Sequence, residues 1–178
     1  MSQKRQDVLE TAEYLFYQKG FHSVGIKQII SEASVSLMTL YNHFDSKEAL
    51  VLAVLNNRED TYFSFLKNQF DLNSINSIQE KAQKVMESHL LWLEKMDTNG
   101  CLFLRAKEEY THENDEITKR VISHKKFILS YLEDSGFSKN DAFRLAIQLE
   151  GATALAETSN ITHIRKECLS IIDLLFHP

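Results

Sequence analysis

Apolar residues recur at helical spacing from near the start of the chain. Val8, Leu9, Ala12, Leu15 and Phe16 share one stripe, which predicts an amphipathic helix over residues 3–19. Gly20 follows as the left-handed residue that ends it. A shorter stripe, Ile26, Ile29, Ile30 and Ala33, opens after Gly25, a tolerable N-cap. The tight connection Ala33-Ser34-Val35-Ser36 leads into a third helix over 37–44, capped by Ser36, with Leu40 and Phe44 as its buried face at i and i+4. Two short helices joined by a few residues read as a helix-turn-helix, although Ser34 stands where the joining turn often has glycine.

Asp45-Ser46-Lys47-Glu48 opens a fourth, long helix, with Asp45 as cap and Glu48 reaching back in a capping box. Its apolar residues run from Leu50, Val51, Val54 and Leu55 through Tyr62, Phe63, Phe65 and Leu66 to Phe70, a length suited to a connector. After the polar break Asp71-Leu72-Asn73-Ser74, helical patterns follow at residues 77–96, 101–110, 114–134, 139–158 and 161–176. The expected fold is all-α: a three-helix head over residues 1–47, then a connector and larger helical body over residues 48–178.

Composition narrows the function classes. The sole proline is Pro178 and there are five glycines, so little interrupts helix propensity. No apolar run of about 18 residues is present, which excludes a helical membrane span. The opening MSQKRQDVLETAEYLF carries acids within its apolar pattern and has no small-residue cleavage site, so the expected location is the cytoplasm. Cys101 and Cys168 lie far apart without CxxC spacing, which argues against a disulfide framework or zinc cluster. Charge alone does not nominate a nucleic-acid binder: in residues 1–50, Lys4, Arg5, Lys19, Lys27 and Lys47 face Asp7, Glu10, Glu13, Glu32, Asp45 and Glu48. No HExxH, Gly-rich phosphate loop or nucleophile motif supports an enzyme, and no cofactor is expected.

Leu15-Phe16, Gly20-Phe21, Ala33, Val35-Ser36, Thr39-Leu40-Tyr41, His43-Phe44 and Ser46-Lys47-Glu48 stand in one register. In that register residues 5–55 resemble the DNA-binding head of the tetracycline-repressor (TetR/AcrR) family of transcriptional regulators. Beyond the head, NGCLFLRAKEEY and LAIQLEGATALA look like the regulatory bodies of one branch of that family. The chain departs from the family pattern at Ser34, at Val24-Gly25 in place of hydroxyl residues, at Leu37 where polar or basic residues are common, and at Met38 where glycine is frequent.

The resemblance implies a third helix lying in the major groove of double-stranded operator DNA. The residues implied at the DNA are Lys27, Ser36, Leu37, Met38, Thr39, Tyr41, Asn42, His43 and Lys47. Their chemistry suits the role. Thr39, Tyr41, His43 and Lys47 can donate to phosphates, Asn42 can pair with adenine, and Leu37 and Met38 can pack on thymine methyl groups. Leu37 also fits a second place, the core beneath Leu40 and Phe44. Backbone N–H groups after Gly25 and Ser36 offer phosphate sites that need no basic side chain.

The same resemblance implies a homodimer built from the last two helices and released from DNA by a small-molecule effector. Candidate interface residues are Ala142, Leu145, Ala146, Leu149, Ala152, Leu155, Ile164, Ile171 and Leu175, which pack equally well within one chain. His89, Trp92, Met96, Cys101, Phe103, Tyr110, His124 and Phe127 are candidates to line an apolar ligand pocket, or they are plain core. Cys101, at a helix start, is either a reactive thiol or an inert one. The resulting expectation is a ligand-responsive dimeric regulator, a repressor, on a palindromic operator. The alternative is a helical scaffold or small-molecule-binding protein without DNA binding.

Overall fold

The computed structural model describes residues 2–96 and 98–176, apart from the side chain of Asn73. The described residues form helices α1 (Gln3–Lys19), α2 (Ile26–Glu32), α3 (Leu37–Tyr41), α4 (Lys47–Gln69), α5 (Ile78–Lys95), α6 (Leu102–Tyr110), α7 (Asp115–Asp134), α8 (Lys139–Ala156) and α9 (Ile161–Leu175), with one 3-10 turn at Leu72–Ser74. Among the described residues no helix is long and apolar enough to cross a membrane.

By packing, the chain divides into two compact units. One holds residues 1–60 and 102–123, the other 61–101 and 124–178, so α4 and α7 each run through both. The division at residue 47/48 is one of role along the sequence and does not coincide with this division by packing.

In the first unit α1, α2 and α3 pack on one another around Val8, Leu15, Phe16, Phe21, Ile29 and Leu40. Ser2 caps α1 by accepting from the Arg5 N–H, and Gly20 ends it at φ 86°, a conformation in which a Cβ would strain the backbone. Ser34 sits at φ 53° in the turn between α2 and α3. That left-handed geometry is the one glycine would adopt freely, so the serine holds the turn at a local cost.

Two local expectations need correction. The third helix ends at Tyr41, because the N–H groups of His43 and Phe44 both bond to the Leu40 carbonyl at 3.0 Å and close it into a turn. The cap of α4 is Ser46, whose Oγ accepts from the Ala49 N–H at 3.0 Å, rather than Asp45.

In the second unit α5, α8 and α9 pack together over a core that includes Met86, Leu90, Leu93, Leu145, Leu149, Ile164 and Ile172. Ser77, Ser138 and Asn160 cap the three helices through side-chain oxygens.

Candidate nucleic-acid interface and the buried polar relay

Helix α3 is short, and two anchors hold it. Leu40 is fully buried, and Phe44 is buried beneath the Arg5 guanidinium, which lies 4.9 Å from its ring centroid. Ser36 Oγ accepts from the Thr39 N–H at 3.0 Å and shares a hydrogen bond with Thr39 Oγ1 at 2.8 Å, fixing the first turn.

With Leu40 turned inward, the opposite face is left open. Leu37 is 49% and Met38 74% exposed, and Tyr41 and Asn42 are exposed beside them. Leu37 therefore does not join the core. Lys27 is exposed on α2, and Lys47 is half-buried at the start of α4. Burial lowers the pKa of the Lys47 ammonium from its ordinary value, while Glu48 and Glu109 oppose that shift. His43 is half-buried, its Nε2 3.2 Å from Ser2 Oγ, so the N-terminal cap residue also orients a candidate DNA contact. Sequence spacing gives no sign of that pairing across 41 positions.

The same unit contains a clasp that periodicity does not reveal. The N–H groups of Phe21 and His22 donate to Oε1 and Oε2 of Glu109 at 3.0 and 2.6 Å, and Arg105 Nη1 donates to the Tyr17 carbonyl at 2.7 Å. These bonds satisfy the exposed backbone groups at the end of α1 from helix α6. Gly20 permits the arrangement, since a Cβ there would lie 2.9 Å from Glu109 Oε1.

The eight candidate ligand residues are divided between the two units. Phe103 and Tyr110 belong to the first unit. Phe103 lies under the Arg120 guanidinium, and Tyr110 lies against Phe21 and His22 at 5.9 and 4.7 Å. The other six belong to the second unit. Trp92 packs on Tyr62 and Phe65, while His124 and the half-exposed Phe127 pack on Phe63. Met96 packs on the core of that unit.

At its centre is a buried polar relay. Tyr62 OH donates to His89 Nδ1 at 2.9 Å, which fixes the neutral tautomer with hydrogen on Nε2. That N–H reaches the Leu149 carbonyl at 3.1 Å and Thr153 Oγ1 at 2.9 Å. Burial pulls the His89 pKa from 6.5 down to about 4 and pushes that of Tyr62 well above its ordinary value. Both groups are neutral at physiological pH.

Cys101 is half-buried just before α6. Lys125 Nζ lies 3.4 Å from its Sγ and 2.5 Å from Glu150 Oε1. Among the described residues no group of His, Cys, Asp and Glu is placed to hold a metal ion.

The interface candidates on α8 and α9 differ in burial. Ala142, Leu145, Leu149, Ala152 and Ile164 are buried in the core of their own chain, and Ala146 packs against it. Leu155, Ile171 and Leu175 are exposed, and with them Phe143, Ile147 and Leu174. Both faces of α8 are apolar, so periodicity alone does not say which one turns inward.

The family profile described as bacterial regulatory proteins of the tetR family matches residues 8–54, the stretch that holds α1, α2, α3 and the start of α4. The chain is 30% identical over 122 residues, 68% of its length, to the uncharacterized HTH-type transcriptional regulator YuxN of Bacillus subtilis (strain 168), and spans only 41% of that relative's length. Among solved structures, it is similar to SCO4454, a TetR-family transcriptional regulator from Streptomyces coelicolor. The TM-score is 0.85 at 25% identity, over 98% of this chain and 89% of that one. It also shares its fold with the multidrug binding protein EbrR complexed with malachite green, with a TM-score of 0.80 at 15% identity, over 99% of this chain and all of that one. The chain belongs to the TetR family of helix-turn-helix transcriptional regulators.

Proposed function

We propose that the protein is a dimeric, ligand-responsive repressor that works in the cytoplasm and binds a palindromic operator through α3. The observation that carries this reading is the open face of α3: Leu37, Met38, Tyr41 and Asn42 face outward from a helix whose other side is held by Leu40 and Phe44. A solvent-exposed leucine and methionine side by side lose apolar surface to water unless something covers them, and thymine methyl groups in a major groove would. Thr39, Tyr41, His43 and Lys47 supply donors around that pair for phosphates, with Lys27 on the preceding helix and the N–H groups after Ser36 alongside.

The exposed residues of α8 and α9, Phe143, Ile147, Leu155, Ile171, Leu174 and Leu175, support dimerisation through those helices. A two-fold dimer presents two copies of α3 to the two halves of a palindrome. The aromatic cluster around Tyr62, His89 and Trp92 supports binding of a small, largely apolar effector with a few polar groups, in keeping with the dye bound by the structurally similar EbrR. Such an effector releases DNA by favouring the dimer state whose head spacing does not fit the operator. Binding to the DNA upstream of the protein's own gene, abolished by Tyr41→Ala or Lys47→Ala, tests the reading.

A further inference from the structure

Helix α8 carries a row of residues at i, i+4 and i+8 that turns away from the core of its unit: Phe143, Ile147 and Gly151. Phe143 is 57% and Ile147 55% exposed. Gly151 is exposed as well, and a Cβ added to it would meet nothing within 4 Å. A glycine inside a helix destabilises it relative to alanine, and packing within this chain gives no reason for one at that position. The row therefore has an aromatic knob about one turn to one side of Ile147 and a hole about one turn to the other.

The surroundings say what covers it. Asp141 and Arg144 at the start of α8 line one groove with Leu175 and Phe176 at the end of α9, so the exposed Leu174 and Leu175 add to the apolar surface at the Phe143 end of the row. Phe143, Ile147, Leu155, Ile171, Leu174 and Leu175 each keep on the order of 100 Å² of apolar area in water. Together they supply more than half of the roughly 800 Å² per partner that a standard stable interface buries. The charges that border the row are already paired within the chain, Arg144 with Asp141 and Glu150 with Lys125, which leaves nothing there to attract a strongly charged partner.

A second copy of this chain supplies both the knob and the hole. Two helices running antiparallel about a two-fold axis place the residue four before the axis opposite the partner's residue four after it. With Ile147 on the axis, each Phe143 meets the partner's Gly151. Rows at i±4 spacing also interdigitate in the commonest class of helix packing.

We propose that α8 crosses the partner's α8 at Ile147, with Phe143 of each protomer filling the space that the partner's Gly151 leaves open. This contact presupposes the dimer proposed above and fixes its register.

Sedimentation velocity of the full-length protein over a concentration series tests it. Wild type should dimerise. Gly151→Leu closes the hole and Phe143→Ala removes the knob, and each should weaken dimerisation about tenfold or more, equivalent to about 1.4 kcal/mol. Their combination exchanges large and small across the contact and should recover most of the lost affinity, which two independent losses would not give. The helical circular dichroism spectrum should stay unchanged in all three, since both positions lie outside the core and leucine favours helix over glycine. On a non-reducing gel after mild oxidation, Ile147→Cys should give a disulfide-linked dimer, and Leu155→Cys, about two turns from the axis, should not. A wild type that is monomeric throughout would overturn both the dimer and this contact. Full affinity in both single variants, a double variant no tighter than the weaker single one, or a cross-link at Leu155→Cys and not at Ile147→Cys would overturn the contact alone.

Discussion

Tyr62 and His89 hold each other neutral. The Tyr62 hydroxyl donates to His89 Nδ1 at 2.9 Å, while burial brings the histidine pKa down to about 4. The sign of the consequence follows. Unfolded, His89 takes up a proton below about 6.5. Folded, it does so only below about 4. Between those values the unfolded state binds more protons, so stability is complete above pH 6.5 and falls as pH drops towards 4. The expected loss from this group is about 3 kcal/mol across that window. Urea unfolding at a series of pH values checks it: in Tyr62→Phe/His89→Phe, which removes both partners, the slope over this window should flatten. Tyr62→Phe alone leaves Nδ1 buried without a donor and should cost about 1–3 kcal/mol.

The clasp between Glu109 and the end of α1 gives a second prediction. Gly20→Ala forces a Cβ into a left-handed backbone and against Glu109 Oε1, so it should destabilise the protein by roughly 1–2 kcal/mol. Glu109→Ala removes the strained contact as well as the two backbone bonds. In a thermal-melt cycle the double variant should therefore lose less than the sum of the single losses.

A third concerns the outer faces of α8 and α9. Ile147→Glu or Leu174→Glu places charge on an exposed apolar residue and should give a monomer by light scattering with an unchanged helical circular dichroism spectrum. Leu145→Ala, on the inner face of α8, should instead cost about 2–5 kcal/mol of stability. A monomeric wild type would remove the dimer from the account.

For Met38, replacement by glycine should change sequence preference on a randomised half-site more than it changes overall affinity, because the contact proposed for this side chain is an apolar one with base edges, not one with phosphate. Unchanged preference would mean that the exposed pair Leu37-Met38 reads nothing.

Much of the fold was legible because each helix carries its own cap and stripe. Gly20 and Ser36 mark ends that depend only on residues within one turn, and the structure places them where the spacing did. What escaped the sequence is long-range or ambiguous by symmetry. Glu109 caps backbone groups 87 and 88 positions away, and Ser2 meets His43 across 41. No local pattern encodes such pairs. The alanines and leucines on the inner stripe of α8 fit a neighbouring helix equally well in the same chain or another, so spacing alone does not choose between core and interface. Residue type likewise does not say that α6 carries Phe103 and Tyr110 into the first unit while the other candidate aromatics lie in the second.

The account rests most heavily on the outward face of α3, and fluorescence anisotropy addresses it directly. The labelled duplex would span the palindromic stretch upstream of the protein's own gene, with unrelated duplex as competitor and the salt concentration varied. Saturable binding by one dimer is predicted, with a shallow salt dependence because few basic side chains displace counterions. Tyr41→Ala and Lys47→Ala should each weaken it by about tenfold or more without lowering the melting temperature. Equal affinity for the unrelated duplex, or undiminished binding by both variants, would contradict the assignment of this face to operator DNA.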